Sequence, residues 1–149
     1  MKHPKHYDTD EATSARMARV KLKHGDAETA IAKILWHDGF RYWLNYRKLP
    51  GSPDIAIQKY RIAVFVDGEF WHGYEWDERK KKLKRNREYW IEKIEENMAR
   101  DYRVDQELRA IGWTPIHFWS QEVKKDLDGC VKTIKELIFD YCVAEYDNE

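Results

Sequence analysis

An α/β domain built on a small mixed sheet is the architecture these 149 residues predict, on three grounds. Ile62-Ala63-Val64-Phe65-Val66 is a continuous apolar run of strand length, which reads as a strand buried on both faces. Shorter strand-like runs, Ile55-Ala56-Ile57 and Trp113 to Trp119, stand before and after it. Segments with apolar residues at helical spacing are interleaved with them, giving the order α-α-β-β-β-α-β-α. With 42% hydrophobic and 14% aromatic residues, the chain is large enough for a single domain with one real core.

The elements follow in order. Residues 1–8 read as a flexible arm, and Thr9-Asp10-Glu11 can cap a short helix to about Lys23 that carries Met17 beside Arg16 and Arg19. His24-Gly25-Asp26 separates it from a second helix, about Ala27 to His37, with Ile31, Ile34 and Leu35 as its apolar stripe. Glu28 lies at the edge of that stripe, where a first-turn acid also suits the helix dipole. Phe40 to Tyr46 alternates as a strand, and Leu49-Pro50-Gly51-Ser52-Pro53 is a rigid turn into Asp54 and the short strand 55–57. After the central strand the chain turns irregular and enters a basic run. A long helix spans about Arg87 to Ala110 and stops at Gly112. Its expected core stripe is Ile91, Ile94, Met98 and Tyr102, with Asp101 at an angle between Ile94 and Leu108 and Asp105 on the same side. Trp113 to Trp119 is a further strand, placed near an edge by Pro115, and a last helix runs from about Leu127 to Val143.

Charge and cysteine usage narrow the class. Lys+Arg and Asp+Glu are 27 each, but residues 79–87 hold seven Lys/Arg and no acid, a local patch of the kind that meets phosphates or simply faces water. Cys130 and Cys142 do not form a redox or metal motif, no apolar run is long enough to span a bilayer, and the N-terminus lacks a signal-peptide core. These features lead to the expectation of a cytoplasmic protein with no membrane partner, a monomer.

The chemistry concentrates where the central strand ends, in Asp67-Gly68-Glu69-Phe70-Trp71-His72. The carboxyl end of a buried strand is where α/β sheets present functional groups, and an adjacent strand can bring Asp54 alongside. An acid beside a histidine at that rim suggests metal-assisted hydrolysis. Phe70-Trp71 between glycines is an unusual place for core residues and suits insertion between bases, although an aromatic mini-core under a loop has the same signature.

Taken together, Ser14-x-x-Met17, Glu28, Leu49-Pro50-Gly51-x-Pro53-Asp54, Asp67-Gly68-x-Phe70-Trp71-His72, Trp90-x-x-Lys93, Asn97-x-x-Arg100-Asp101 and Gly112-Trp113 form a spaced pattern. The pattern resembles the very short patch repair endonucleases, T:G mismatch nickases of the PD-(D/E)xK, restriction-endonuclease-like superfamily. The resemblance implies a restriction-endonuclease-like mixed sheet flanked by helices, in one domain over 1–149. Residues 1–24 would be a DNA-contacting arm and helix, and 25–149 the nuclease core. It implies Mg²⁺, one or two ions, held by Asp54, by the backbone carbonyl of Val66 and, directly or through water, by Asp67. His72 matches the group that activates water, and Asp101 and Glu28 match acids around the metal. Phe70, Trp71 and Trp90 match aromatics that wedge into DNA, Met17 matches a residue entering from the opposite groove, and Arg16, Arg19, Lys93 and Asn97 are further DNA contacts. The expected partners are double-stranded DNA with a T:G mismatch and possible repair proteins. Where the archetype binds structural zinc, this chain has Glu69, Tyr74, Trp76 and Gln121, none of them a thiolate or imidazole ligand, so no zinc is expected. Two alternatives stay open: a same-fold endonuclease of a restriction or defence system, and a non-catalytic mismatch-binding module.

Overall fold

The computed structural model describes residues 25–70 and 72–148. The predicted helix to Lys23, with Arg16, Met17 and Arg19, and the side chain of Trp71 lie outside the described residues. The elements are a helix over residues 25–37 (α1), strands β1 Trp43–Leu44, β2 Ile55–Ile57 and β3 Ile62–Asp67, helices α2 Trp76–Lys82 and α3 Arg87–Ala110, strand β4 Thr114–Trp119, and helices α4 Ser120–Lys125 and α5 Leu127–Asp147.

A four-stranded mixed sheet in the order β1-β2-β3-β4 organises the fold. The first two pairings are antiparallel and β3 runs parallel to β4. A parallel pair needs a long crossover, and α2 and α3 supply it. All six residues of β3 are buried, because helices cover both of its faces.

The period-two alternation of β3 divides the core. Ile62, Val64 and Val66 join Ile31 and Leu35 of α1 and Val131, Ile134 and Ile138 of α5 in the larger cluster. Ala63 and Phe65 face the other way and pack with Leu108 and Val104 of α3. Each fully buried large aliphatic side chain contributes roughly 1.5–3 kcal/mol by leaving water. Gly51 makes the Leu49-Pro50-Gly51 turn possible: its φ is +76°, and a Cβ there would run into Val104 and Phe65.

Several expectations are corrected. The strand over 40–46 is only Trp43–Leu44, because Phe40 and Tyr42 pack into the core ahead of the pairing segment. The irregular stretch expected over Gly73 to Asp77 ends earlier, because α2 starts at Trp76, which is buried against the body of the fold, and runs into the basic segment. α4 follows β4 without a break, its first turn closed by the Glu122 carboxylate, which accepts the Trp119 N–H at 3.3 Å. The buried face of α3 is rotated from the expected stripe. Trp90, Ile94 and Leu108 are buried, whereas Met98 is 37% and Tyr102 69% exposed.

Candidate active site

Two polar groups meet at the carboxyl end of β3, one built around Asp54 and the other around Asp67. Asp54 stands immediately before β2, and its Oδ2 accepts the Val66 N–H at 2.7 Å. An extended strand turns the N–H and C=O of one residue toward the same neighbour, so the Val66 carbonyl is directed to the Asp54 side as well. α1 brings Glu28 against Asp54. Burial first, then the hydrogen bond and charge of Asp54, push the Glu28 carboxyl up to about 9. Glu28 Oε2 is also the buried side-chain polar atom with no hydrogen-bond partner among the described residues. Two acids share a half-buried space, one with an orphaned oxygen. Such a pair is costly by itself and is relieved by a cation.

The second group lies on the α3 side. Asp67 ends β3 and is 8% exposed. His72 comes from the turn that follows, where its own N–H donates to the Gly68 carbonyl at 3.2 Å. The His72 Nδ1 lies 2.6 Å from Asp101 Oδ2 on α3 and 3.9 Å from Asp67 Oδ1. An ionised carboxylate only accepts, so this contact keeps the proton on Nδ1 and leaves Nε2 able to take one. Asp67, His72 and Asp101 offer ligand atoms that all lie within 4.8 Å of one another, which is close enough to hold a metal ion. The rotation of α3 explains how an apolar helix face tolerates Asp101: the face is polar at mid-length and apolar at its ends.

Sequence reasoning missed one participant. His117 on β4 stacks on Phe65 at 4.7 Å between ring centroids, as their pairing in register requires. Its Nδ1 lies 2.7 Å from Asp67 Oδ2 and its Nε2 lies 2.6 Å from Asp105 Oδ1. Burial alone would lower the imidazole pKa, but the two carboxylates outweigh it and raise it to about 9. The signal lay in the strand alternation of Pro115, His117 and Trp119, yet it became informative only once the β3–β4 register was known.

The aromatic residues form a small cluster. Phe70 meets Trp90 edge-on at 5.1 Å, and Tyr89 meets Trp90 at 5.2 Å. Trp90 is 7% exposed, so it is the floor of this cluster and Phe70 its more open member. Lys93 lies 3.6 Å from Glu96, and the Asn97 side-chain oxygen accepts from Arg100 at 2.7 Å.

The four positions without zinc ligands are held by other means. The Glu69 carboxylate accepts from the Ser120 hydroxyl at 2.9 Å and from the Gln121 N–H at 2.6 Å. Tyr74 packs edge-on against Trp119, and the Trp76 indole N–H donates to Glu95 at 2.9 Å. Aromatic packing by Tyr74 is joined by a hydrogen-bonded clasp that carries much of the connection. Arg79 completes it by donating to the carbonyls of Glu69, Tyr74 and Phe70. This arginine of the basic run is therefore committed to the turn rather than to a ligand.

Comparison with known proteins points the same way. The family model for the DNA mismatch endonuclease Vsr matches residues 6–78. A type II nicking enzyme of Neisseria meningitidis serogroup C is 42% identical over 132 residues, covering 89% of each chain. One from Haemophilus parainfluenzae is 43% identical over 126 residues, 85% of this chain and 89% of its own. The DNA mismatch endonuclease Vsr of Escherichia coli K12 is 32% identical over 111 residues, 74% of this chain and 70% of its own.

Proposed function

This chain belongs to the DNA mismatch endonuclease Vsr family, and from that premise we propose that it nicks one strand of duplex DNA beside a T:G mismatch with the help of Mg²⁺. It is an endodeoxyribonuclease, and the reading adds the substrate, the cofactor and the residues. The observation that carries it is the partnerless buried oxygen of Glu28 beside Asp54, one strand residue away from the His72–Asp101 pair.

The donor set fits a hard divalent cation, which prefers oxygen ligands. Asp54 and the Val66 carbonyl would hold it, with Glu28 next to them and Asp67 directly or through water. Bound there, Mg²⁺ would supply charge neutralisation at the phosphate and an acidified water. The protein residues do the rest. Asp101 orients His72 so that Nε2 accepts a proton from the attacking water. Asp54 sets the negative field that selects a cation, and Glu28, held as the neutral acid beside it, offers a carboxyl oxygen. Phe70, with Trp90 beneath it, and Trp71 are assigned to the unstacked base step, and opening a T:G wobble costs less than opening a matched pair. Arg16, Met17 and Arg19 belong to the arm that meets the duplex, and Lys93 and Asn97 to the α3 side. The sheet and its helices fit a restriction-endonuclease-like core in a single nuclease domain acting as a monomer in the cytoplasm.

The type II label of the Neisseria and Haemophilus relatives favours a second reading, in which a matched or modified sequence is cut in a restriction or defence setting. Labelled duplexes that differ only in a T:G or T:A pair, across varied flanking sequence and with Mg²⁺, separate the two. Nicking confined to T:G supports the first reading, and cutting of matched duplexes replaces it with the second. A shift in mobility without cleavage would leave only a binding module.

A further inference from the structure

Asp67 sits at the junction of the site with two possible orientations for its carboxylate, and something must choose between them. One of its oxygens, Oδ1, faces His72 at 3.9 Å, and the other, Oδ2, is engaged by His117 Nδ1 at 2.7 Å. His117 is itself fixed from three directions. Asp105 of α3 holds Nε2 at 2.6 Å, Phe65 stacks beneath the ring with only 10° between planes, and β4 sets the backbone in register with β3. A histidine whose two ring nitrogens both face carboxylates has no edge left for substrate, so its effect must pass through Asp67.

We propose that His117 is the positioning residue of this site: anchored by Asp105, it pins Oδ2 of Asp67 and thereby presents Oδ1 to the divalent cation and to His72. Partners that orient a ligating carboxylate contribute to metal affinity, and their loss typically costs roughly 10–100-fold. The inference rests on the metal-dependent reading of the site. It adds a chain that runs from α3 through β4 to β3, so that a residue whose ring nitrogens both face carboxylates governs how the cation is held.

The two ring nitrogens can be tested separately, because an asparagine amide mimics Nδ1 of histidine and a glutamine amide mimics Nε2. His117→Asn keeps a donor toward Asp67 and loses Asp105. His117→Gln keeps the Asp105 side and loses Asp67, and His117→Leu loses both. Mn²⁺ binding to the full chain, followed by the electron paramagnetic resonance of the free ion, reads cation affinity without turnover. Thermal unfolding of each variant reads the fold. The expected result is Mn²⁺ affinity within about threefold of native for His117→Asn and about tenfold or more weaker for His117→Gln and His117→Leu. His117→Asn and His117→Gln should share one unfolding temperature. Native-like Mn²⁺ affinity in His117→Gln, or affinities that simply track the unfolding temperatures, would overturn the positioning role and leave the nuclease reading standing. Failure of the native protein to bind Mn²⁺ would overturn both.

Discussion

Glu28 and His117 make opposite use of burial. Each binds a proton in the folded chain that its free counterpart would release, Glu28 between its ordinary 4.5 and about 9, His117 between 6.5 and about 9. A folded state that holds the extra proton loses stability as pH rises through that window. In the metal-free protein, stability therefore falls from pH 4.5 on account of Glu28 and falls more steeply above 6.5, where His117 joins it. Glu28→Gln should remove the part between 4.5 and 6.5 and leave the His117 part, as read by urea unfolding in chelator at half-unit pH steps. Identical pH profiles for the two proteins would mean that Glu28 is not held as the neutral acid. Asp101 works on another quantity. Asp101→Ala leaves His72 without its 2.6 Å partner, so kcat for nicking should fall about 10²–10⁴-fold with KM for the duplex little changed. An unchanged kcat would remove His72 from the proton transfer.

At the scale of elements, apolar pattern and register did different amounts of work. The strand Ile55–Ile57 and the limits of α3, Arg87–Ala110, could be read from the chain because their signals are local: a turn with two prolines before one, Gly112 after the other. α2 could not, since Trp76 alone of its residues is buried and the rest of its seven positions are charged. The face of α3 was misjudged for a related reason. Its inward side carries Asn97, Asp101 and Asp105 where a wheel looks for aliphatics, so the apolar residues Met98 and Tyr102 pulled the reading round by one position. Part of the constellation could be read ahead: Asp54, Asp67 and His72 stand at strand ends, and only the resemblance marks Asp101, whereas His117 reaches Asp67 through the β3–β4 register and Asp105 through the packing of α3 on β4. Two substitutions test the packing of these elements. Trp90→Ala empties the floor under Phe70 and should cost about 3–5 kcal/mol in chemical unfolding. Glu69→Ala unfastens the turn from α4 and should cost about 1.5–3 kcal/mol, the range for bonds to a charged acceptor. A loss in either variant of under about 0.5 kcal/mol would place these contacts on a yielding surface.

Across the whole molecule, charge is balanced in number and divided in use. Arg79 is spent on loop carbonyls, Arg87 donates to the carbonyls of Lys80 and Leu83, and Lys80 pairs with Glu95 at 3.1 Å. Lys82 and Lys84 remain exposed. Neutralising Lys82 or Lys84 should lower the salt slope of DNA binding by about 0.9 each, while Arg79→Gln should act on stability first. Slopes indifferent to both lysines would move the phosphate track away from α2. The Glu69 clasp has a consequence for how such an enzyme lives. A cross-brace of carboxylate, hydroxyl and peptide nitrogen has nothing for peroxide to attack and nothing for a scavenger of transition metals to take away. Starved of ions, the protein should fall silent yet keep its shape, ready to resume cutting when a divalent metal returns.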